Sequence, residues 1–288
     1  MKKKLSLCLA ASMASTLLYL PCVQAQTTGG DNQQQDNIFK SGELSVQAGV
    51  RVWGNDWDIP VFQIVPIVLN NGQGAAQLQV TNRRSDFKFA PIPVAGVRYG
   101  RVAANLTYMA PTHYDAGVEG LSSVRREEFD ASLGYSILPP ADSVLLATVS
   151  YKYAKIGPTS PNFDNTATVN AVLFGLSGSA PLTGNLRLIG SFAIGPGRQR
   201  TTTPAGEAKN NSVYQVVEVG IAYPLISGSS GPLRSLSLTL TYRAQIYRIK
   251  GIDFPTTTLP PQNQLISTES RDVTSTTQGP VLGLIASF

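Results

Sequence analysis

The stretch 235-SLSLTLTYRAQIYRI-249 alternates without a break: Leu236, Leu238, Leu240, Tyr242, Ala244 and Ile246 share one face, and Ser237, Thr239, Thr241, Arg243, Gln245 and Tyr247 the other. Period two is the side-chain period of a β-strand. One face suits lipid and the other water, as in the strands of a transmembrane β-barrel. Nine further stretches repeat the pattern, near residues 43–53, 88–99, 102–113, 127–137, 144–153, 167–178, 186–195, 213–223 and 278–288. The predicted fold class is therefore all-β, an antiparallel transmembrane β-barrel of ten strands, an even count that returns the C-terminus to its starting side.

The connections alternate in length. Long ones near 54–87, 114–126, 154–166, 196–212 and 249–277 alternate with short ones around Gly100-Arg101, Pro139–Asp142, Ala180–Asn185 and Pro224–Arg234. Barrels of this class have short periplasmic turns and long external loops, which orients the chain. In that orientation Tyr99, Tyr135, Tyr223 and Phe288 fall at the periplasmic ends, and Trp53, Tyr108, Tyr151, Tyr153 and Tyr242 at the external ends, forming two aromatic belts. A soluble β-sandwich would alternate as well, but it has no reason to keep the loop rhythm or the belts. Residues 59–81 leave a count of twelve open, because Val61–Leu69 and Ala75–Thr81 flank an Asn71-Gly72 turn. Pro60 and Pro66 would remove two ladder donors from one short strand, so an external hairpin or a loop folded toward the mouth is the preferred reading.

Composition agrees. Charged residues make up 14% and apolar ones 42%, with 26 Gly and 19 Pro, which suits neither a disordered chain nor a helical bundle. Residues 1–25 read as a secretory signal peptide: Lys2, Lys3 and Lys4, an apolar run from Leu5 to Leu20, then Val23-Gln24-Ala25 as a cleavage site. Without those three lysines the net charge drops from +5 to +2, and a nucleic-acid partner is not implied. Cys8 and Cys22 both lie in this leader, so no thiolate metal site is expected in the mature chain. Residues 26–40, rich in Gln, Asn, Thr and Gly, read as a flexible periplasmic lead-in to a barrel domain at 41–288.

Leu282, Leu284, Ala286 and Phe288 alternate and end the chain on an aromatic. This ending resembles the C-terminal strand of Gram-negative outer-membrane proteins. The resemblance implies that Phe288 is an assembly signal for the barrel-assembly machinery, and it implies outer-membrane lipid and lipopolysaccharide as surroundings and the outer membrane as location. It names an architecture and no specific member.

Alternation also identifies the charges of the lumen as Glu43, Arg51, Arg98, Asp130, Lys152, Arg187, Glu218 and Arg243, five bases against three acids. In the opposite register each base would face lipid at about 2–4 kcal/mol near the midplane. A narrow passive channel for small solutes with weak anion preference is the first functional expectation. A non-conducting barrel displaying external segments for adhesion or envelope integrity is the second, motivated by Thr201–Thr203, Thr256–Thr258 and the long connection at 249–277. An enzyme is the least favoured. Asp56 and Asp58 with His113 and Asp115 faintly resemble the omptin proteases, whose resemblance implies water activation at an external groove, but here the second element is reversed. His113-Tyr114-Asp115-Ala116-Gly117 lacks the serine of outer-membrane phospholipases and deacylases. No cofactor is expected, and no loop spaces its acids for calcium.

Overall fold

The computed structural model describes residues 44–68, 74–115, 123–138, 143–158, 166–203, 206–228, 232–258 and 265–288. The leader at 1–25, the lead-in at 26–40 and Glu43 lie outside the described residues. Eleven strands follow one another: β1 Leu44–Val68, β2 Gly74–Arg84, β3 Lys88–Tyr99, β4 Val102–Tyr114, β5 Val124–Ser136 and β6 Val144–Pro158. The series continues with β7 Thr166–Thr183, β8 Leu186–Thr203, β9 Gly206–Ser227, β10 Ser235–Thr258 and β11 Leu265–Ser287.

Ten of these close a ring. β3 to β11 pair in sequence order, all antiparallel, while β1 joins β3 on one edge and β11 on the other. Each ring strand overlaps one of the ten stretches read from the sequence. The seam at the chain ends is sewn by Phe288, whose N–H donates to the Val46 carbonyl at 2.8 Å while its carbonyl accepts from the Val46 N–H at 3.2 Å. Closure gives every ring strand a neighbour on both sides, which removes the free sheet edges that would bar a β-structure from crossing a bilayer. At the periplasmic end, Gly100 at φ 55° and Gly184 at φ 52° make two-residue hairpin turns. The β3–β4 ladder stops at Val94↔Thr107, where Pro93 and Pro91, lacking N–H groups, continue β3. Ala90, Ile92 and Met109, packed on Trp53 and Val281, close that part of the wall from inside.

Exposed apolar residues cover the outer face, among them Val46, Leu106, Val149, Phe174, Leu240 and Leu284. That belt is what lipid must cover. The outward aromatics at its two ends include Tyr99, Tyr135, Tyr223 and Phe288 below, and Tyr108, Tyr151 and Tyr242 above. Trp53 is a correction to the expected external belt. It is 0% exposed and points into the lumen, because it shares the parity of inward Arg51 and stacks under Arg243 at 5.3 Å.

The stretches expected to be long external loops are mostly strand. β1, β9, β10 and β11 run to 25, 22, 24 and 23 residues, while about 9–11 suffice to cross a bilayer. The outer halves of β1, β10 and β11 are rich in Thr, Val and Ile, which favour the pleat once a partner is available. β10 and β11 stay paired out to Thr257↔Leu265, past a bulge where Gly251 adopts φ 62°. Residues 59–68 and 74–81 do form strands, but outside the ring, while the Asn71-Gly72 turn lies outside the described residues: the outer half of β1 pairs with β2 from Asp58↔Arg84 to Val68↔Gly74. The tip of β2 pairs with Thr256–Thr258 of β10. The ring count is therefore ten, with a hairpin folded over the external mouth.

Candidate functional site

The inward face of β10 carries Thr241, Arg243, Gln245, Tyr247 and Ile249 in succession, and they mark the levels of the lumen from the periplasmic side outward. At the lowest level, Glu218 on β9 forms an ion pair with Arg51 of β1, accepts from the Thr241 hydroxyl at 2.9 Å and lies 3.5 Å from Arg243 Nη1. One carboxylate thus serves two guanidiniums, and Trp53 supports the second of them by a cation–π contact.

The next level is drier. Glu128 of β5 is ion-paired with Arg126, two residues along the same face, and with Lys152 of β6 at 2.8 Å. Gln245 donates to the same carboxylate at 3.1 Å, and the Tyr214 hydroxyl donates to Gln245 Oε1 at 2.8 Å. Arg126 also donates to Gln245 Oε1 at 2.8 Å and to Thr277, and lies 5.0 Å from the Trp57 ring centre. Trp57 is held in turn by its indole N–H to Ser275 at 2.6 Å and by an edge-on contact with Tyr114 at 5.4 Å. The enclosed cavity beside this network is about 10 Å³, room for one water.

Above it the lumen turns apolar. Val169, Leu173, Tyr214, Tyr247, Ile249 and Val273 form a buried cluster, onto which Leu78 and Val80 of β2 pack. The hairpin is thus a lid seated on the lumen's contents. Below the charged levels lies a vestibule of about 350 Å³ at the periplasmic end, with Gln47, Arg51, Arg98, Ser179, Glu218 and Thr241 among its lining residues.

The lumen charges read from the sequence divide accordingly. Arg51, Glu218 and Arg243 share the lower level, Lys152 lies in the upper, and Asp130 is paired in register with Lys152. Arg98 and Arg187 stand at the periplasmic end, the first donating to the Gly100 carbonyl at 3.2 Å and the second to Ser179 Oγ at 3.2 Å. Sequence reasoning missed Arg126 and Glu128, the centre of the upper network. With them, the described lumen holds six bases (Arg51, Arg98, Arg126, Lys152, Arg187, Arg243) and three acids (Glu128, Asp130, Glu218), a net +3.

The suggested rim set is not assembled. Asp56 alternates with the buried Asn55 and Trp57, so it points outward, where it pairs with Arg84. His113 sits between buried Thr112 and Tyr114 and faces outward opposite Arg125. Asp115 is tied through its N–H to Asp86 Oδ1 at 2.9 Å. Burial works against the charged form of Asp86, yet its bonds from Lys88 and from the Asp115 N–H hold this carboxyl below its usual range. Among the described residues, no three His, Asp or Glu side chains stand close enough to hold a metal.

No protein-family model matches the chain, and no curated protein does. Solved structures similar to it include the outer-membrane protease OmpT of Escherichia coli, at 12% identity and a TM-score of 0.44 over 85% of this chain and 97% of that one. Ail, the attachment invasion locus protein of Yersinia pestis, is similar at 10% identity and a TM-score of 0.34, over 86% of this chain and 100% of that one. The toluene transporter TodX of Pseudomonas putida is similar at 9% identity and a TM-score of 0.28, over 86% and 89% of the two chains. The closed ring and its lipid-facing belt give this chain the fold of a Gram-negative outer-membrane β-barrel.

Proposed function

We propose that this protein is a non-conducting outer-membrane barrel whose work is done by the tall β-structure it raises outside the membrane, in adhesion or in the integrity of the envelope. The observation that carries this reading is the filled lumen. Two ion-paired levels, an apolar level and a lid lie across the path, with Trp53, Lys152 and Gln245 at 0–1% exposure. The external part has the chemistry of a presented surface. Its outward ion pairs, Arg200–Glu207 at 2.7 Å and Arg248–Asp272 at 2.7 Å, are exposed and screened by solvent, so they favour solubility over rigidity.

A passive, weakly anion-selective channel keeps one supporting observation, since the vestibule already provides the periplasmic part of a path. Completing it would require displacing the lid and both charged levels. Planar-bilayer recording decides between the readings: the purified barrel should stay silent across salts and voltages. A small, steady conductance from wild-type protein would overturn the non-conducting reading.

A further inference from the structure

We propose that the vestibule is a blind binding site, open to the periplasm, for a small organic anion carrying a phosphate or carboxylate on an apolar group. Its volume of about 350 Å³ falls in the range of small-molecule sites, roughly 300–1,000 Å³. The walls are of two kinds. Arg51 and Arg98, with Gln47, Ser177, Ser179 and Ser191, give one side the donors that recognise an oxyanion, while Val144, Leu146 and Ile189 give an apolar side.

The balance of donors and acceptors favours an anion over a cation. Glu218 is the one acid among the described lining residues, and it is already engaged by Arg51, Thr241 and Arg243. Arg187 adds a further positive charge beside Ser179. Because the levels above are packed, a solute can enter and leave by the same side only, so the site binds and does not conduct. It therefore stands or falls independently of what the external structure does.

The test is calorimetric titration of the full barrel in nanodiscs with phenyl phosphate and with inorganic phosphate, empty discs serving as the blank. Phenyl phosphate should bind, and inorganic phosphate should bind about tenfold more weakly, for want of the apolar wall. Arg98→Gln should weaken phenyl phosphate by about tenfold or more, the loss of one charge-assisted partner. Ser177→Leu, whose ladder partners are the uncharged Leu146 and Ser191, fills the vestibule without removing a charge and should do the same, while Arg248→Gln at the external end should change nothing. No binding to wild type, equal binding to wild type and both vestibule variants, or an equal loss with Arg248→Gln would each overturn the site. Equal affinity for the two phosphates would overturn the organic part of its specificity.

Discussion

Replacing Glu128 by Gln keeps the shape of the side chain and removes its charge, leaving Arg126 and Lys152 with no carboxylate in contact. Those two side chains are about 5% and 1% exposed, so bulk water cannot replace the lost partner. The Lys152–Glu128 contact alone, at 2.8 Å, corresponds to about 6 kcal/mol of Coulomb attraction at an effective dielectric of about 20. Part of that offsets desolvation, and breaking a buried pair by removing one partner costs about 3–5 kcal/mol. Glu128→Gln should therefore lower the unfolding free energy by that amount, a large fraction of the roughly 5–15 kcal/mol typical of folded proteins. Lys152→Met should cost much less, because Glu128 keeps Arg126 and the pair left behind is neutral. The assay is urea unfolding in lipid vesicles, followed by the emission of Trp53 and Trp57, both inside the lumen, and by the heat-dependent gel shift of the folded barrel. A Glu128→Gln cost below about 1 kcal/mol, or a cost no larger than that of Lys152→Met, would mean that the level is wet and that the closed lumen is the wrong reading.

Two further outcomes are expected. Trp53 stands under Arg243 and Trp57 under Arg126, and the chain has two tryptophans in all, so dibrominated acyl chains should leave emission nearly unquenched; strong quenching would put Trp53 back in the lipid-facing belt. Outside the membrane, the Gly251 N–H, donating at 3.1 Å, and then Arg248 hold the Asp272 carboxyl below its ordinary 3.8. A depressed folded value means that the charged form supports the bulge above pH 3.8 and that this support is lost as pH falls through the folded value. Amide exchange at Gly251 should therefore accelerate, relative to its neighbours, only in acid below that point. Asp272→Asn should remove the pH response, and an identical response in both proteins would exclude Asp272 as its source.

How much of this was legible depends on how each feature is written in the chain. The ring was legible because every one of its strands must satisfy lipid on one face, and ten alternating stretches record that demand. The extra-membrane halves of β9, β10 and β11 were not, since in water both faces of a strand can be polar and alternation stops carrying information, and that of β1 was not because both of its faces are apolar. Pro60 and Pro66 argued correctly against ring membership for residues 59–68. They did not prevent a strand, because pairing with β2 needs one edge and β1 there has no second ring neighbour to satisfy.

The least legible residues were the most central ones. Arg125-Arg126-Glu127-Glu128 places one base and one acid on each face of β5, so local charge cannot say which pair enters the lumen. The structure separates them completely: Arg125–Glu127 is an exposed pair at 3.1 Å, and Arg126–Glu128 is buried with Lys152. The signal that could have found them is parity carried outward from a charge whose side is already fixed. Asp130 belongs to the inward face, so Glu128 and Arg126, two and four residues before it, must as well. The same step of two from Arg51 brings Trp53 inside and Trp57 after it. Parity thus outranks residue type wherever a strand is known to cross the membrane, because reversing one residue's side requires a bulge. β5 pairs with β6 without interruption from Val124↔Pro158 to Ser136↔Leu146.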